Sequence, residues 1–193
     1  MIVGIVLAGG LGTRMGGADK ALLPLGGRPM LAHCLQRLAP QVDRIAISAN
    51  GEPARLAGFG LPVLADSVPG YPGPLAGVLA AMDWAASAGA GGVVSLAADT
   101  PFAPADLAAR LTPAGFAMAA SPDAQGRIRR HPTVALWPVA LRDDLRRALA
   151  EGEHKVGRWA TEHGAQTVVW SERPDPFFNV NTPADLAEAE ARL

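Results

Sequence analysis

Residues 7–20 read LAGGLGTRMGGADK and directly extend the first apolar run of the chain, IVGIVL over Ile2–Leu7. A short β-branched run of this kind is typical of a strand that is buried on both faces. Five of the fourteen residues in the stretch are glycines, which lose more backbone entropy on folding than other residues. We therefore interpret the stretch as a loop whose backbone must come close to a ligand.

The composition limits the class of protein. The chain has 193 residues, 49% of them hydrophobic, and a formal net charge of −1. Its length predicts a single domain over residues 1–193, and the absence of a basic excess argues against nucleic-acid binding. The sequence predicts neither a signal peptide nor a membrane span. Together with the single Cys34, this favours a cytoplasmic protein.

Strand-like and helical segments alternate along the chain. Strands are predicted at residues 2–7, 44–48, 61–65, 92–97, 116–120, 133–137 and 167–170, with a polar turn at 123–130. Apolar residues recur at helical spacing after Pro29, after Pro74 and over residues 141–149, which predicts three helices. A capping box at Thr182–Asp185 predicts the start of a further helix at the end of the chain. This alternation predicts an α/β fold, a Rossmann-like three-layer α/β/α arrangement with a mostly parallel sheet, which binds ligands at the carboxyl ends of its strands.

The glycine loop does not match either of two common phosphate-binding patterns. A Walker A loop would need Lys-Ser/Thr after Gly17, and a Rossmann fingerprint would need glycine at Met15. Its glycines could still let backbone N–H groups approach phosphate oxygens. Arg14 could bind a phosphate with two hydrogen bonds, and Lys20 could supply a compact positive charge. The alternative is a solvent-exposed loop with ordinary surface cations.

An ordered set of motifs resembles the molybdenum cofactor guanylyltransferases, which belong to the nucleotide-diphospho-sugar transferase fold group. The resemblance spans nearly the whole chain and includes the following segments: Leu7-Ala8-Gly9-Gly10, Arg14-Met15-Gly16-Gly17, Asp19-Lys20, Asp66-Ser67, Tyr71-Pro72-Gly73-Pro74, Asp99-Thr100-Pro101, His131-Pro132-Thr133 and Phe178-Asn179-Val180-Asn181.

This resemblance implies a reaction and a set of site residues. GMP would pass from GTP to the phosphate of the molybdopterin cofactor, with release of pyrophosphate, and the product would go to molybdoenzymes or their chaperones. Carried over by motif, the nucleotide-binding residues are Leu7, Ala8, Gly9, Gly10, Lys20, Asp66 and Asp99. Asp99 would also bind Mg²⁺, while Arg14, Lys20 and Asp99 would be catalytic. Relatives often have Asn-Ala-Asn where this chain has Ser48-Ala49-Asn50, which leaves open which of these residues contacts the nucleotide.

The chemistry of the residues is compatible with these roles but leaves alternatives. Asp66 could accept hydrogen bonds from the N1–H and amino groups of guanine, or could belong to a turn. Asp99, at the end of a strand, suits a metal ligand and also suits a turn before proline. His131, Asn179 and Asn181 could contact the second substrate. Alternatively, His131 belongs to a solvated hairpin tip, and Asn181 caps the last helix.

Three competing functions follow from the same residues. Molybdopterin cytidylyltransferases share much of the loop but more often have alanine at the position of Gly9. Sugar-phosphate nucleotidylyltransferases usually have proline where this chain has Asp19. A GTP-binding regulatory module would need no pocket for a second substrate, whereas the segments from His131 to Asn181 favour such a pocket.

Overall fold

The computed structural model describes residues 1–9, 19–68 and 73–193. Nine strands and six α-helices lie within these ranges. The strands are β1 (Ile2–Leu7), β2 (Pro24–Leu25), β3 (Arg28–Pro29), β4 (Arg44–Ser48), β5 (Val63–Leu64), β6 (Gly92–Ala97), β7 (Ala117–Pro122), β8 (Ile128–Pro138) and β9 (Gln166–Val169). The helices are α1 (Met30–Leu38), α2 (Pro74–Ser87), α3 (Leu107–Leu111), α4 (Arg142–Ala150), α5 (Val156–Glu162) and α6 (Pro183–Glu190).

Seven strands form one sheet in the order β5-β4-β1-β6-β8-β7-β9, and β2 and β3 pair as a separate hairpin. β8 is antiparallel to both of its neighbours, whereas the other pairs in the large sheet are parallel. The predicted mostly parallel sheet is therefore confirmed. β4 and β6 pair with opposite edges of β1, so the strand order reverses at β1, which is a topological switch point of the sheet. Open α/β sheets bind ligands at such a point.

Apolar side chains cover both faces of the sheet. Val6 packs with α1 and α3 on one face, whereas Val3 and Ile5 pack with α2, α4 and α5 on the other. These two buried clusters confirm the predicted three layers. The alternation along β1 explains its continuous apolar sequence, because a central strand has no solvent-facing side.

The bounds of β5, β7 and β9 differ from the predicted ones by one or two residues, and two further differences are informative. β8 begins at Ile128, so the predicted turn over residues 123–130 is wrong at its second half. Arg129 and Arg130 are exposed but pair in register with Ser121 and Ala120, because the backbone ladder continues through charged residues on the solvent side. Pro29, predicted as the first helical residue, instead lies in β3, and α1 begins one residue later.

A third, smaller apolar cluster joins segments that are distant in sequence. It consists of buried Leu25 from the β2–β3 hairpin, Met30 from α1, Val180 and Ala189, with Phe102, Phe178 and Leu186 packed against it. The predicted capping box of Thr182 and Asp185 is confirmed at the start of α6, which supplies Ala189. Residues 178–181 are thereby held against the hairpin.

Among the helices of the described ranges, none combines the length and the apolar character needed to cross a membrane.

Leu25→Ala should destabilise the chain although Leu25 lies in a strand of only two residues. Leu25 is fully buried, and removing its side chain leaves a cavity in the third cluster, so we expect a loss of about 2–4 kcal/mol in the free energy of unfolding. Ile128→Ala is the control, since Ile128 is 54% exposed and should cost less than about 1 kcal/mol. Urea unfolding measures both values, and equal losses would contradict an anchoring role for the hairpin.

Candidate nucleotide site

Five polar residues, which we call the Lys20–Asp99 cluster, come together beyond the carboxyl end of β6: Lys20, Asp99, Thr100, Asn179 and Asn181. Lys20 Nζ donates to Asp99 Oδ2 at 2.7 Å and to Asn181 Oδ1 at 2.6 Å. Asn179 Nδ2 donates to Asp99 Oδ1 at 3.0 Å and to Thr100 Oγ1 at 2.9 Å. The structure therefore brings together four residues proposed from sequence and adds the buried hydroxyl of Thr100.

Backbone hydrogen bonds fix the segments that carry these side chains. Asp99 follows β6 directly, and the N–H of Val180 donates to the Asp99 carbonyl oxygen at 2.9 Å. The N–H of Asn181 donates to Asp185 Oδ2 at 2.9 Å, which lowers the pKa of that carboxyl below its ordinary value. Asn181 is thus attached to the capping box at the start of α6 while its side chain faces Lys20.

A second ion pair holds the start of the Lys20 segment. Asp19 Oδ1 accepts from the N–H of Ala21 at 3.2 Å and caps a short 3₁₀ turn over Lys20–Leu22. Arg55 Nε donates to Asp19 Oδ2 at 2.7 Å. Sequence analysis missed Arg55, because no local motif indicates a contact between positions so far apart.

Asn50 and Asp66 form a reciprocal pair at the ends of β4 and β5. Asn50 Nδ2 donates to Asp66 Oδ2 at 2.7 Å, and the N–H of Asp66 donates to Asn50 Oδ1 at 3.0 Å. Ser48, in contrast, is buried against α2, where a Cβ added at Gly77 would lie 2.5 Å from Ser48 Oγ. Of the two positions left open by the sequence, Asn50 is the one that bonds to Asp66.

Backbone hydrogen bonds of the sheet continue one residue beyond the ends of β1 and β6. The N–H of Ala8 donates to the Ser48 carbonyl at 2.8 Å, and the N–H of Ala98 donates to the Leu7 carbonyl at 3.0 Å. An added Cβ at Gly9 would meet no atom of the described residues within 4 Å. Two proposed site residues, Gly10 and Arg14, lie outside the described residues, as do Tyr71 and Pro72.

His131 lies in β8 and is buried rather than at the hairpin tip. Its Nε2 is 2.8 Å from Ser121 Oγ, and its ring centroid is 4.8 Å from that of Phe177. Burial lowers the pKa of His131 from 6.5 to about 4, with the nearby positive charge of Arg129 acting in the same direction and Asp175 opposing it. The imidazole is therefore neutral at pH 7 and packs beside the segment that leads to Asn179.

Comparisons with known proteins identify the family of the chain. A family model described as "MobA-like NTP transferase domain" matches residues 4–168. The chain belongs to this family. A protein of Cereibacter sphaeroides named molybdenum cofactor guanylyltransferase is 52% identical over 192 residues, covering 100% of this chain and 97% of that protein. A protein of the same name from Rhodopseudomonas palustris (strain BisB5) is 53% identical over 196 residues, covering 96% of this chain and 91% of that protein.

A solved structure confirms the fold class. Molybdopterin-guanine dinucleotide biosynthesis protein A from Archaeoglobus fulgidus superposes with a TM-score of 0.75 at 25% sequence identity. The match covers 100% of this chain and 98% of that one. The family resemblance inferred from the motifs is therefore confirmed over the length of the chain.

The neutral state of His131 has a consequence for stability. The folded-state pKa of about 4 lies below the ordinary 6.5, so the unfolded chain binds a proton first as the pH falls. The free energy of unfolding should therefore be unaffected by His131 well above pH 6.5 and should fall by about 2 kcal/mol between pH 8 and 5. Urea unfolding at both pH values tests this, with His131→Gln as the comparison. A pH-linked loss that is as large in the variant would contradict the assignment to His131.

Proposed function

We propose that the chain transfers GMP from GTP to the phosphate of the molybdopterin cofactor and releases pyrophosphate. Residues 1–193 would act as one nucleotidyltransferase domain. The observation that carries this proposal is the Lys20–Asp99 cluster, which lies at the ligand-binding edge of the sheet in a chain of the MobA-like family. The names of its close relatives support the choice of acceptor and of nucleotide.

In the proposed reaction an oxygen of the acceptor phosphate bonds to the α-phosphorus of GTP. The bond from that phosphorus to the bridging oxygen breaks, and pyrophosphate leaves with the electron pair. The attacking group is already an anion, so the step needs positioning and charge stabilisation more than a strong base.

Lys20 would bind a phosphate oxygen of the nucleotide. An ammonium group has three donors, and Asp99 and Asn181 occupy two of them in the structure. The third donor has no partner among the described residues and would bind the substrate without loss of the existing contacts. Arg14, from the glycine loop, would contribute a second, bidentate contact to phosphate.

The donor set at Asp99 fits a magnesium ion that arrives with the nucleotide. Within the described ranges no group of three or more His, Cys, Asp or Glu side chains converges on one point. Mg²⁺ commonly binds through one or two carboxylates together with substrate phosphates and water, which a single Asp99 can satisfy. When bound, Mg²⁺ would supply positive charge to the phosphates of GTP.

Asp66 would read the guanine base. Asn50 occupies Asp66 Oδ2, while Oδ1 accepts no hydrogen bond from the described residues. A fixed carboxylate oxygen suits the adjacent N1–H and amino donors of guanine, which cytosine and adenine lack. Leu7, Ala8, Gly9 and Gly10 would provide the backbone floor of the same pocket.

The second substrate would contact Asn179 and Asn181. Both side chains belong to the Lys20–Asp99 cluster, and the segment that carries them is fixed by the backbone bond from the N–H of Val180 to Asp99. Burial and the bond to Ser121 favour an indirect role for His131, through Phe177. Molybdoenzymes or their chaperones would receive the product.

A nucleotide panel tests the proposed function. With Mg²⁺ and isolated molybdopterin, GTP should give the dinucleotide product by mass spectrometry far more efficiently than CTP or ATP. Asp66→Asn should reduce the preference for GTP by about tenfold to a hundredfold, because the amide no longer accepts both donors of guanine. Asn50→Ala retains the carboxylate and should have a smaller effect. A preference for CTP would show a cytidylyltransferase, and an equal slowing of every nucleotide would remove Asp66 as the base reader.

Asp99→Asn should raise the Mg²⁺ concentration needed for half-maximal rate. The amide keeps the size of the side chain but loses the charge that attracts the cation, so excess Mg²⁺ should restore part of the activity. Asp123→Asn is a matched control, because Asp123 is also ion-paired and is 25% exposed, compared with 24% for Asp99, but lies at a hairpin turn. Identical Mg²⁺ titration curves for the wild type and the Asp99 variant would show that Asp99 does not bind the cation and would favour a structural role for Asp99 in the turn.

A further inference from the structure

A pocket of about 480 Å³, which we call the α1 pocket, lies between α1 and the segment that follows Asp99. Its lining includes three arginines, Arg28, Arg37 and Arg192, together with His33. None of the described side chains that line it is an Asp or a Glu. The charged side chains of the lining are all positive in a chain whose net charge is −1, although Leu193, which carries an α-carboxylate as the last residue of the sequence, also belongs to the lining.

Two of the three guanidinium groups are not neutralised. Arg192 is ion-paired with Glu188. Arg28 donates to the neutral Gln36 Oε1 at 3.0 Å, and neither Arg28 nor Arg37 lies within ion-pair distance of a carboxylate in the described part of the chain. Concave surfaces of one charge sign concentrate counter-ions of the opposite sign.

We propose that the α1 pocket binds a small phosphate-bearing anion. Guanidinium groups form paired hydrogen bonds with phosphate oxygens, and here they approach one cavity from the β2–β3 hairpin and from α1. The volume lies within the range typical of small-molecule sites. No residue of the Lys20–Asp99 cluster lines this pocket, so the proposal does not depend on the proposed function.

Arg192 connects the pocket to the candidate nucleotide site. Its guanidinium carbon lies 4.0 Å from the ring centroid of Phe178 and 5.8 Å from that of Phe102. Phe178 directly precedes Asn179, and Phe102 lies three residues after Asp99. An anion that engages Arg192 would therefore act on both segments that carry the site.

The test uses the full chain labelled with ¹⁵N and follows the arginine Nε–Hε resonances by NMR. Inorganic phosphate and pyrophosphate are titrated separately at constant ionic strength up to about 10 mM, a range that detects millimolar affinity. Arg28→Gln and Arg37→Gln remove one cation each, and Arg44→Gln removes an exposed arginine of β4 outside the pocket. Lys20→Met removes anion binding at the candidate nucleotide site.

We expect saturable shifts that depend on the pocket arginines. The affinity should fall about tenfold or more in Arg28→Gln and Arg37→Gln, as expected for loss of a hydrogen bond to a charged group. It should be unchanged in Arg44→Gln and Lys20→Met, and the tighter of the two anions identifies the preferred ligand. Absence of saturation, or equal affinities in the Arg28, Arg37 and Arg44 variants, would overturn the proposal. Loss of binding in Lys20→Met alone would assign the anion to the nucleotide site instead.

Discussion

Asp99 is the point at which three distant parts of the chain meet. Its carboxylate accepts from Lys20 on one oxygen and from Asn179 on the other, while its carbonyl oxygen accepts from the N–H of Val180. These contacts join the end of the glycine loop, the end of β6 and the segment before α6. The arrangement requires β6 to lie beside β1 in the sheet, because only then do the two loops that follow these strands leave the same edge together.

The Lys20–Asp99 ion pair does not by itself account for this arrangement. Its side chains are 17% and 24% exposed, and partly exposed ion pairs contribute about 1 kcal/mol or less to stability. The third apolar cluster contributes more, because it buries Leu25 and Val180 completely on the two segments that flank the pair. Apolar packing therefore positions the segments that carry the polar groups, and the ion pair adds a smaller contribution to the same arrangement.

The sequence was informative wherever a local pattern determines the structure. β1, β4 and β6 were predicted to the residue because each is a short apolar run with buried neighbours, and the capping box of α6 is contained in four consecutive residues. The extension of β8 through Arg129 was not predictable in the same way, since its pairing partner lies on another strand. The Asn50–Asp66 pair likewise depends on the adjacency of β4 and β5, which no single segment encodes.

The charges of the cluster limit what it can contribute to the proposed reaction. Lys20 and Asp99 cancel, and the side chains of Thr100, Asn179 and Asn181 are neutral, so the cluster has no net charge with which to offset a triphosphate. The acceptor phosphate adds further negative charge, and like charges a few ångströms apart repel strongly where water is excluded. The neutralising charge in this mechanism must therefore come from groups that join the cluster when substrate binds. Under the proposed function, Mg²⁺ at Asp99 and the side chain of Arg14 would meet that requirement, and the cluster would serve mainly to position the substrates.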